Sequence, residues 1–252
     1  MTEEQGYSRA MVVTAHPDDA EFSCSGTVAG WCASGWEVTY VLCTDGSKGT
    51  EDRELTSPQL ATIRRKEQIS AGKVLGLKDV VFLDHPDAYL EPTLELRREI
   101  TREIRRHRPD ILITMYPARN LDGGWGFGHP DHIAAGEAAM SAVFPSARDH
   151  LTFPELLEED LVPHKTREVW IVGHPEPDHW VDVTDSIDTS IRALNEHASQ
   201  LSSSPEEIDD SMRKRRREVA KGKPMEYAES FKRIQFDRPR VSHERESNKP
   251  KG

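Results

Sequence analysis

Long apolar runs are missing from this 252-residue chain: no stretch approaches the ~20 residues that a membrane-spanning helix needs. Cysteine is scarce. Cys24, Cys32 and Cys43 are odd in number and form no CxxC pair, which argues against a disulfide framework and reads as buried thiols. Positive charge is in deficit as well. The chain has 33 Lys and Arg against 44 Asp and Glu, a net charge of −11, so nucleic acid and anionic membranes are not expected partners. The opening Met1-Thr2-Glu3-Glu4-Gln5 has neither the basic nor the apolar segment of a secretory signal, and a cytoplasmic location is expected. Common nucleotide and nucleophile signatures are also absent. Gly46-Ser47-Lys48-Gly49-Thr50 falls short of a Walker loop, no G-x-G-x-x-G follows the first strand, and no G-x-S-x-G elbow occurs.

What is present is regular alternation. Apolar runs at 10–15, 38–43, 80–83, 111–115 and 169–172 read as strands, and stretches at 25–34, 57–75, 93–107 and 131–143 have helical periodicity. Strands alternating with helices predict an α/β fold with a mostly parallel sheet and helices on both faces. The length suits a single domain over residues 10–236, with a flexible N-terminus at 1–9 and a disordered tail at 237–252. Leu201-Ser202-Ser203-Ser204-Pro205-Glu206-Glu207 reads as a helix-capping linker, and Arg213-Lys214-Arg215-Arg216-Arg217 as a solvated helix face.

Two clusters stand out on this frame. His16-Pro17-Asp18-Asp19 follows the first strand, and His129-Pro130-Asp131-His132 follows the fourth. In parallel sheets the C-terminal strand ends share one edge, where ligands bind, so the topology brings both clusters together. Imidazoles and carboxylates in this ratio suit a divalent metal with an open position. Asp18 and Asp19 are adjacent and their side chains diverge, so one can bind metal while the other serves water. His129 and His132 are spaced i, i+3 at a helix start. His85-Pro86-Asp87 and the proline-rich turn from His174 to His179 are control cases that lack the second acidic or imidazole partner, although Asp87 can reach the same edge. The glycine-rich loop Asn120 to Gly128 leads into the second cluster and reads as a mobile rim. A two-metal phosphoesterase on a similar sheet is the competing hydrolase, but Asp45, Asp122 and Asp131 form no convincing second set.

The residues then become familiar. Ala15-His16-Pro17-Asp18-Asp19 with Gly26-Thr27, and Gly128-His129-Pro130-Asp131-His132, resemble the two motifs of the LmbE-like, or PIG-L, N-deacetylases. Thr44 to Thr50, Arg64-x-x-Glu67 ahead of Val74-Leu75-Gly76, Ala193-Leu194-x-x-His197-x-Ser199-Gln200 and Tyr227 to Phe231 are also similar to that family. The resemblance implies a Rossmann-like sheet and zinc-dependent removal of acyl groups from N-acylated amino sugars, with one Zn2+ per chain. It implies His16, Asp19 and His132 as metal ligands, Asp18 as general base, and His129 as oxyanion stabiliser or acid. Arg64, Ser23 and Asp87 match positions that contact substrate. An Asp18 beside zinc is expected to stay ionised.

Some members carry a tyrosine two residues before the histidine matching His129; here it is Phe127. The expected partner is a small N-acylated amino sugar or glycoside, in an enzyme that forms a homo-oligomer. The alternatives are an amidase of thiol conjugates and a zinc-binding member without catalysis.

Overall fold

Alternating Val, Ile and Leu build the centre of the molecule, and the computed structural model describes residues 6–121 and 128–236. The expectations for residues 1–5, the tail at 237–252, and the rim loop with Phe127 (122–127) lie outside the described residues. Strands β1 (Arg9–Thr14), β2 (Glu37–Thr44), β3 (Asp79–His85), β4 (Ile111–Met115) and β5 (Glu168–Val172) fall on the five expected runs. They pair in parallel, with Val12 opposite Tyr40 on one side and Ile113 on the other. Near-continuous apolar sequence is what a strand covered on both faces requires, and every residue of β4 and β5 is buried.

Two further strands were not foreseen: β7 (Ala228–Gln235) pairs antiparallel with β5, and β6 (His179–Asp182) pairs antiparallel with β7 at the edge of the sheet. The reason is local. Ala228-Glu229-Ser230-Phe231-Lys232-Arg233 interleaves charges with its apolar residues, so no apolar run marks it. Those charges find partners in the fold. Arg233 clamps Glu168 through Nε and Nη2 at 2.7 and 2.6 Å, and Trp170 Nε1 donates to the same carboxylate at 2.8 Å. The full order is β3-β2-β1-β4-β5-β7-β6, and chain direction across the sheet reverses between β1 and β4.

Among the described residues the covering helices are α1 (Asp19–Ser23), α2 (Ser25–Ala33), α3 (Ser57–Leu75), α4 (Leu94–His107), α5 (Pro130–Ser141), α6 (Ile187–Asn195) and α7 (Pro205–Val219). Helix α4 buries Leu96, Ile100 and Ile104, one stripe at i, i+4, i+8, and also Arg105, whose guanidinium donates to the carbonyls of Ser146, Asp149 and Thr152. Helix α3 buries a stripe of the same period, but Arg64 and Gln68 occupy it between Leu60 and Ala71. Polar residues on a core-facing stripe need polar partners, and these two find them at the strand edge. The capping box of α7 forms as expected between Ser204 and Glu207. The basic run on that helix is not wholly solvated: Arg216 is buried, 2.9 Å from Glu229 of β7.

Glu229 also replaces a missing cap. No side chain caps α2 locally; instead Glu229 accepts from Gly26 N at 3.0 Å, Thr27 N at 2.8 Å and Thr27 Oγ1 at 2.6 Å. Gly26 is required for this approach, since a Cβ there would meet Val183 at 2.9 Å.

The β5–β7 seam has a pH signature. Burial on its own would raise the Glu168 pKa, but the hydrogen bonds from Arg233, Trp170 and Gln235 hold it below its ordinary value. A carboxyl lowered in the folded state stabilises above its unfolded pKa, and that contribution is lost as pH falls through the folded value. The Tm of the wild type should therefore fall more steeply below pH 4.5, the ordinary Glu value, than that of Glu168→Gln. Parallel Tm profiles would show that the seam is electrostatically neutral.

Candidate active site

The first cluster turns a sharp corner where β1 ends. Asp18 takes a left-handed backbone with φ 93°, a conformation that costs about 1–3 kcal/mol for a non-glycine residue and must be held by its surroundings. The polar pair on α3 holds it. Asp18 N donates to Gln68 Oε1 at 3.1 Å, and Arg64 Nη2 reaches Asp18 Oδ2 at 3.3 Å. Arg64 also donates to the carbonyls of Pro17 at 2.7 Å and Gly46 at 3.1 Å. Behind Gln68 lies a buried relay. Its amide donates to Glu21 Oε1 at 3.0 Å, and the other Glu21 oxygen lies 3.3 Å from His197 Nε2.

The second cluster starts α5. His129 is the N-cap, its Nδ1 accepting from Asp131 N at 3.2 Å, and Pro130 opens the helix. Asp131 is fully buried and holds the crossing between clusters: its Oδ2 lies 3.1 Å from His16 Nε2 and accepts from Ala88 N at 2.8 Å. Asp87 reaches the same nitrogen, with Oδ1 3.1 Å from His16 Nε2. On the other side of the ring, His16 Nδ1 faces Asp19 Oδ2 at 3.5 Å, and Asp19 Oδ1 lies 3.1 Å from His132 Nε2. The rings of His16, His129 and His132 converge at centroid separations of 4.9 to 5.3 Å.

The structure thus brings Asp18, Asp19, His16, Asp87, His129 and His132 to one edge. Ser23 stands beside them and lines a cleft of about 230 Å³ with Asp19, His132, Phe22, Tyr116 and Arg215. Arg64 and Asp87 are only 4 % exposed each and are engaged by internal partners. Cys24 is buried, its thiol pushed up by burial.

Electrostatics separates the roles. Burial alone would lower His16, yet the hydrogen bonds its ring donates to Asp131, Asp19 and Asp87 push it up to about 12. Burial would raise Asp19, but His132 and His16 hold it below the carboxylate range. Asp18 behaves oppositely: burial and the neighbouring Asp19 charge push it up to about 7, against the pull of Arg64 and His197. The expectation that Asp18 stays ionised beside zinc rests on the charge of the ion, whereas this upward push comes from the chain's own groups. His129 is pushed down by burial and by the His16 and His132 charges.

Sequence reasoning missed Gln68 altogether and gave Asp131 no task of its own. Gln68 had a signal in its place on the buried stripe of α3; Asp131 had none, because its partners are the remote His16 ring and the backbone amides of Ala88 and Leu90.

Fold and site together define an α/β protein with a His/Asp donor cluster where the strand order reverses. The chain belongs to the PIG-L family: the model described as GlcNAc-PI de-N-acetylase matches residues 11–143. Diacetylchitobiose deacetylase of Thermococcus kodakarensis is 33 % identical over 200 residues, covering 79 % of this chain and 72 % of that protein. A 1D-myo-inositol 2-acetamido-2-deoxy-alpha-D-glucopyranoside deacetylase of Actinosynnema mirum is 29 % identical over 234 residues, covering 77 % of this chain and 81 % of that one. Among solved structures, N,N'-diacetylchitobiose deacetylase from Pyrococcus horikoshii superposes with a TM-score of 0.83 at 27 % identity, covering 92 % of this chain and 85 % of that chain.

Proposed function

We propose that this protein hydrolyses the N-acetyl amide of a glucosamine-type substrate, releasing acetate and a free amine, with one zinc ion held by His16, Asp19 and His132. The observation that carries the reading is Asp19 set between two imidazoles, 3.5 Å from His16 Nδ1 and 3.1 Å from His132 Nε2. Two groups place their donor atoms within 4.8 Å of one another, His16/His129/His132 and His16/Asp87/Asp131. In the second group both carboxylates face His16 Nε2 and already accept from backbone amides, Lys48 N at 2.9 Å and Ala88 N at 2.8 Å. Carboxylates in that position fix the tautomer and orientation of a ligating imidazole. They leave His16 Nδ1 as the free donor, facing Asp19. His129 Nδ1 is already occupied by Asp131 N, which leaves His132 as the second imidazole ligand. Two imidazoles, one carboxylate and an open position suit zinc in a hydrolase.

When bound, such an ion supplies Lewis-acid polarisation of a carbonyl and a lowered pKa for water. The chain's own groups do the rest. Asp18 takes a proton from the attacking water and returns it to the leaving nitrogen as the C–N bond breaks. With Nδ1 accepting, neutral His129 carries its proton on Nε2, a donor for the oxyanion that develops on the carbonyl oxygen. Arg64 acts by holding the turn that carries Asp18, and Asp87 by orienting His16. Ser23, on the cleft wall, is placed to meet the sugar.

The reading includes a homo-oligomer in the cytoplasm, by sequence expectation alone. Among the described residues no helix is long and apolar enough to cross a membrane.

Amine release from N-acetylglucosaminides, measured for zinc-loaded and chelated protein, tests the proposal. Release that vanishes on chelation and returns with one zinc per chain supports it. Two metals per chain would favour a phosphoesterase. One tightly bound zinc without release would favour an amidase of thiol conjugates or a zinc-binding member without catalysis.

A further inference from the structure

Five basic residues follow one another on α7, and three of them are spoken for. Arg213 pairs with Asp188 and Asp209, Arg216 with Glu229 and the Phe22 carbonyl, and Arg217 with Glu226 and the Tyr227 hydroxyl. Lys214 and Arg215 have no hydrogen bond or ion pair among the described residues, and both are exposed. Their surroundings differ. Arg215 lines the cleft that contains Asp19, Ser23 and His132. It also lines an adjoining cavity of about 270 Å³, together with Phe22, Gln200, Ser202 and Ser211. Lys214 lines neither.

Helix α7 is held firmly enough to present a side chain. Ile208 and Met212 are buried against Val183, Ile187, Leu194 and Tyr227 in a small second core, and the Arg216–Glu229 pair ties the helix to β7. Acidic groups that could neutralise Arg215 are otherwise engaged. Asp19 is bound between His16 and His132, and Glu207 on the outer cavity accepts from Ser204 N at 2.9 Å in the capping box. Apart from His132, the remaining polar side chains of the two cavities are hydroxyls and an amide, suited to a sugar. Glu229, the carboxylate whose charge reaches Arg215 through space, is itself bound by Arg216 at 2.9 Å, so the Arg215 guanidinium has no carboxylate hydrogen-bonded to it among the described residues. The guanidinium offers two parallel N–H donors to a carboxylate or phosphate.

We propose that Arg215 recognises an anionic group on the aglycone side of the substrate, so that acidic N-acyl glucosaminides are the preferred class. The amide enters at His132 and Asp19, the sugar lies along Ser23 and Phe22, and the carboxylate or phosphate meets Arg215 where the two cavities adjoin. The assignment rests on the amidase reading of the metal cluster.

The test compares the methyl, carboxymethyl and 1-phosphate glycosides of N-acetylglucosamine, with full-length zinc-loaded protein. A charge-assisted hydrogen bond predicts a kcat/KM about tenfold or more higher for a charged probe than for the methyl glycoside, carried by KM. Whichever charged probe is favoured separates carboxylate from phosphate. In Arg215→Gln the preference should disappear, whereas Lys214→Gln should keep it, since a general field effect would weaken equally in both. No charge preference in the wild type, or one that survives Arg215→Gln, overturns the proposal.

Calorimetric titration of turnover-deficient Asp18→Asn with the same probes separates the two readings. Charge-selective binding lost in Asp18→Asn/Arg215→Gln supports the subsite even if no glycoside is cleaved. Turnover without selective binding retains the amidase and rejects the subsite.

Discussion

Replacing Asp18 by Asn should lower kcat by about 10²–10⁴-fold, the usual contribution of a positioned general base, while zinc content stays at one per chain. The substitution is chosen for what it leaves alone. Asparagine tolerates the left-handed backbone at φ 93°, and the backbone N–H that Gln68 accepts is untouched. Size is conserved, and the amide oxygen can still receive Arg64. Only the ability to take and return a proton is lost. Single-turnover amine release with metal analysis of the same sample reads both quantities. Activity within a factor of about three of wild type would be too small a loss for a general base and would remove Asp18 from that role. Zinc loss would instead make it a ligand.

The second large effect concerns stability rather than chemistry. Glu229→Ala should destabilise the fold by about 3–5 kcal/mol, the cost of leaving one partner of a buried ion pair uncompensated. Arg216, 3 % exposed, would lose its counter-charge, and Gly26 N and Thr27 N at the start of α2 would lose their acceptor. Urea denaturation should show a lower midpoint with little change in slope. Arg216→Met in the Glu229→Ala background should recover part of the loss, because the buried charge is then gone. A double variant no more stable than Glu229→Ala would place the whole cost in the lost cap of α2.

The parallel half of the sheet was legible because its strands are buried on both faces and therefore written as apolar runs. Ile111–Met115 and Ser57–Leu75 match the expected limits. Strands β6 and β7 were not, since their charges are satisfied only by tertiary partners such as Glu168 and Arg216. The site divides in the same way. His16, Asp18, Asp19, His129 and His132 advertise themselves through two compact clusters, and strand order brings these together. Gln68 and Asp131 act through backbone amides, and nothing in the spacing of residues records an amide's direction. Glu21 and His197 form a contact across 176 positions, beyond the reach of any local pattern.

The reversal of strand order between β1 and β4 also coincides with a division of labour along the chain. Every proposed metal and proton-handling group lies within residues 11–143, the span matched by the family model. Most of the outer cavity wall, from Leu194 to Arg215, comes from the segment that follows. Under the proposed reading, changes at exposed positions of α7 such as Arg215, away from the Arg216 anchor, are where the choice of glycoside would be retuned. One inherited reaction can in this way diversify across many substrates.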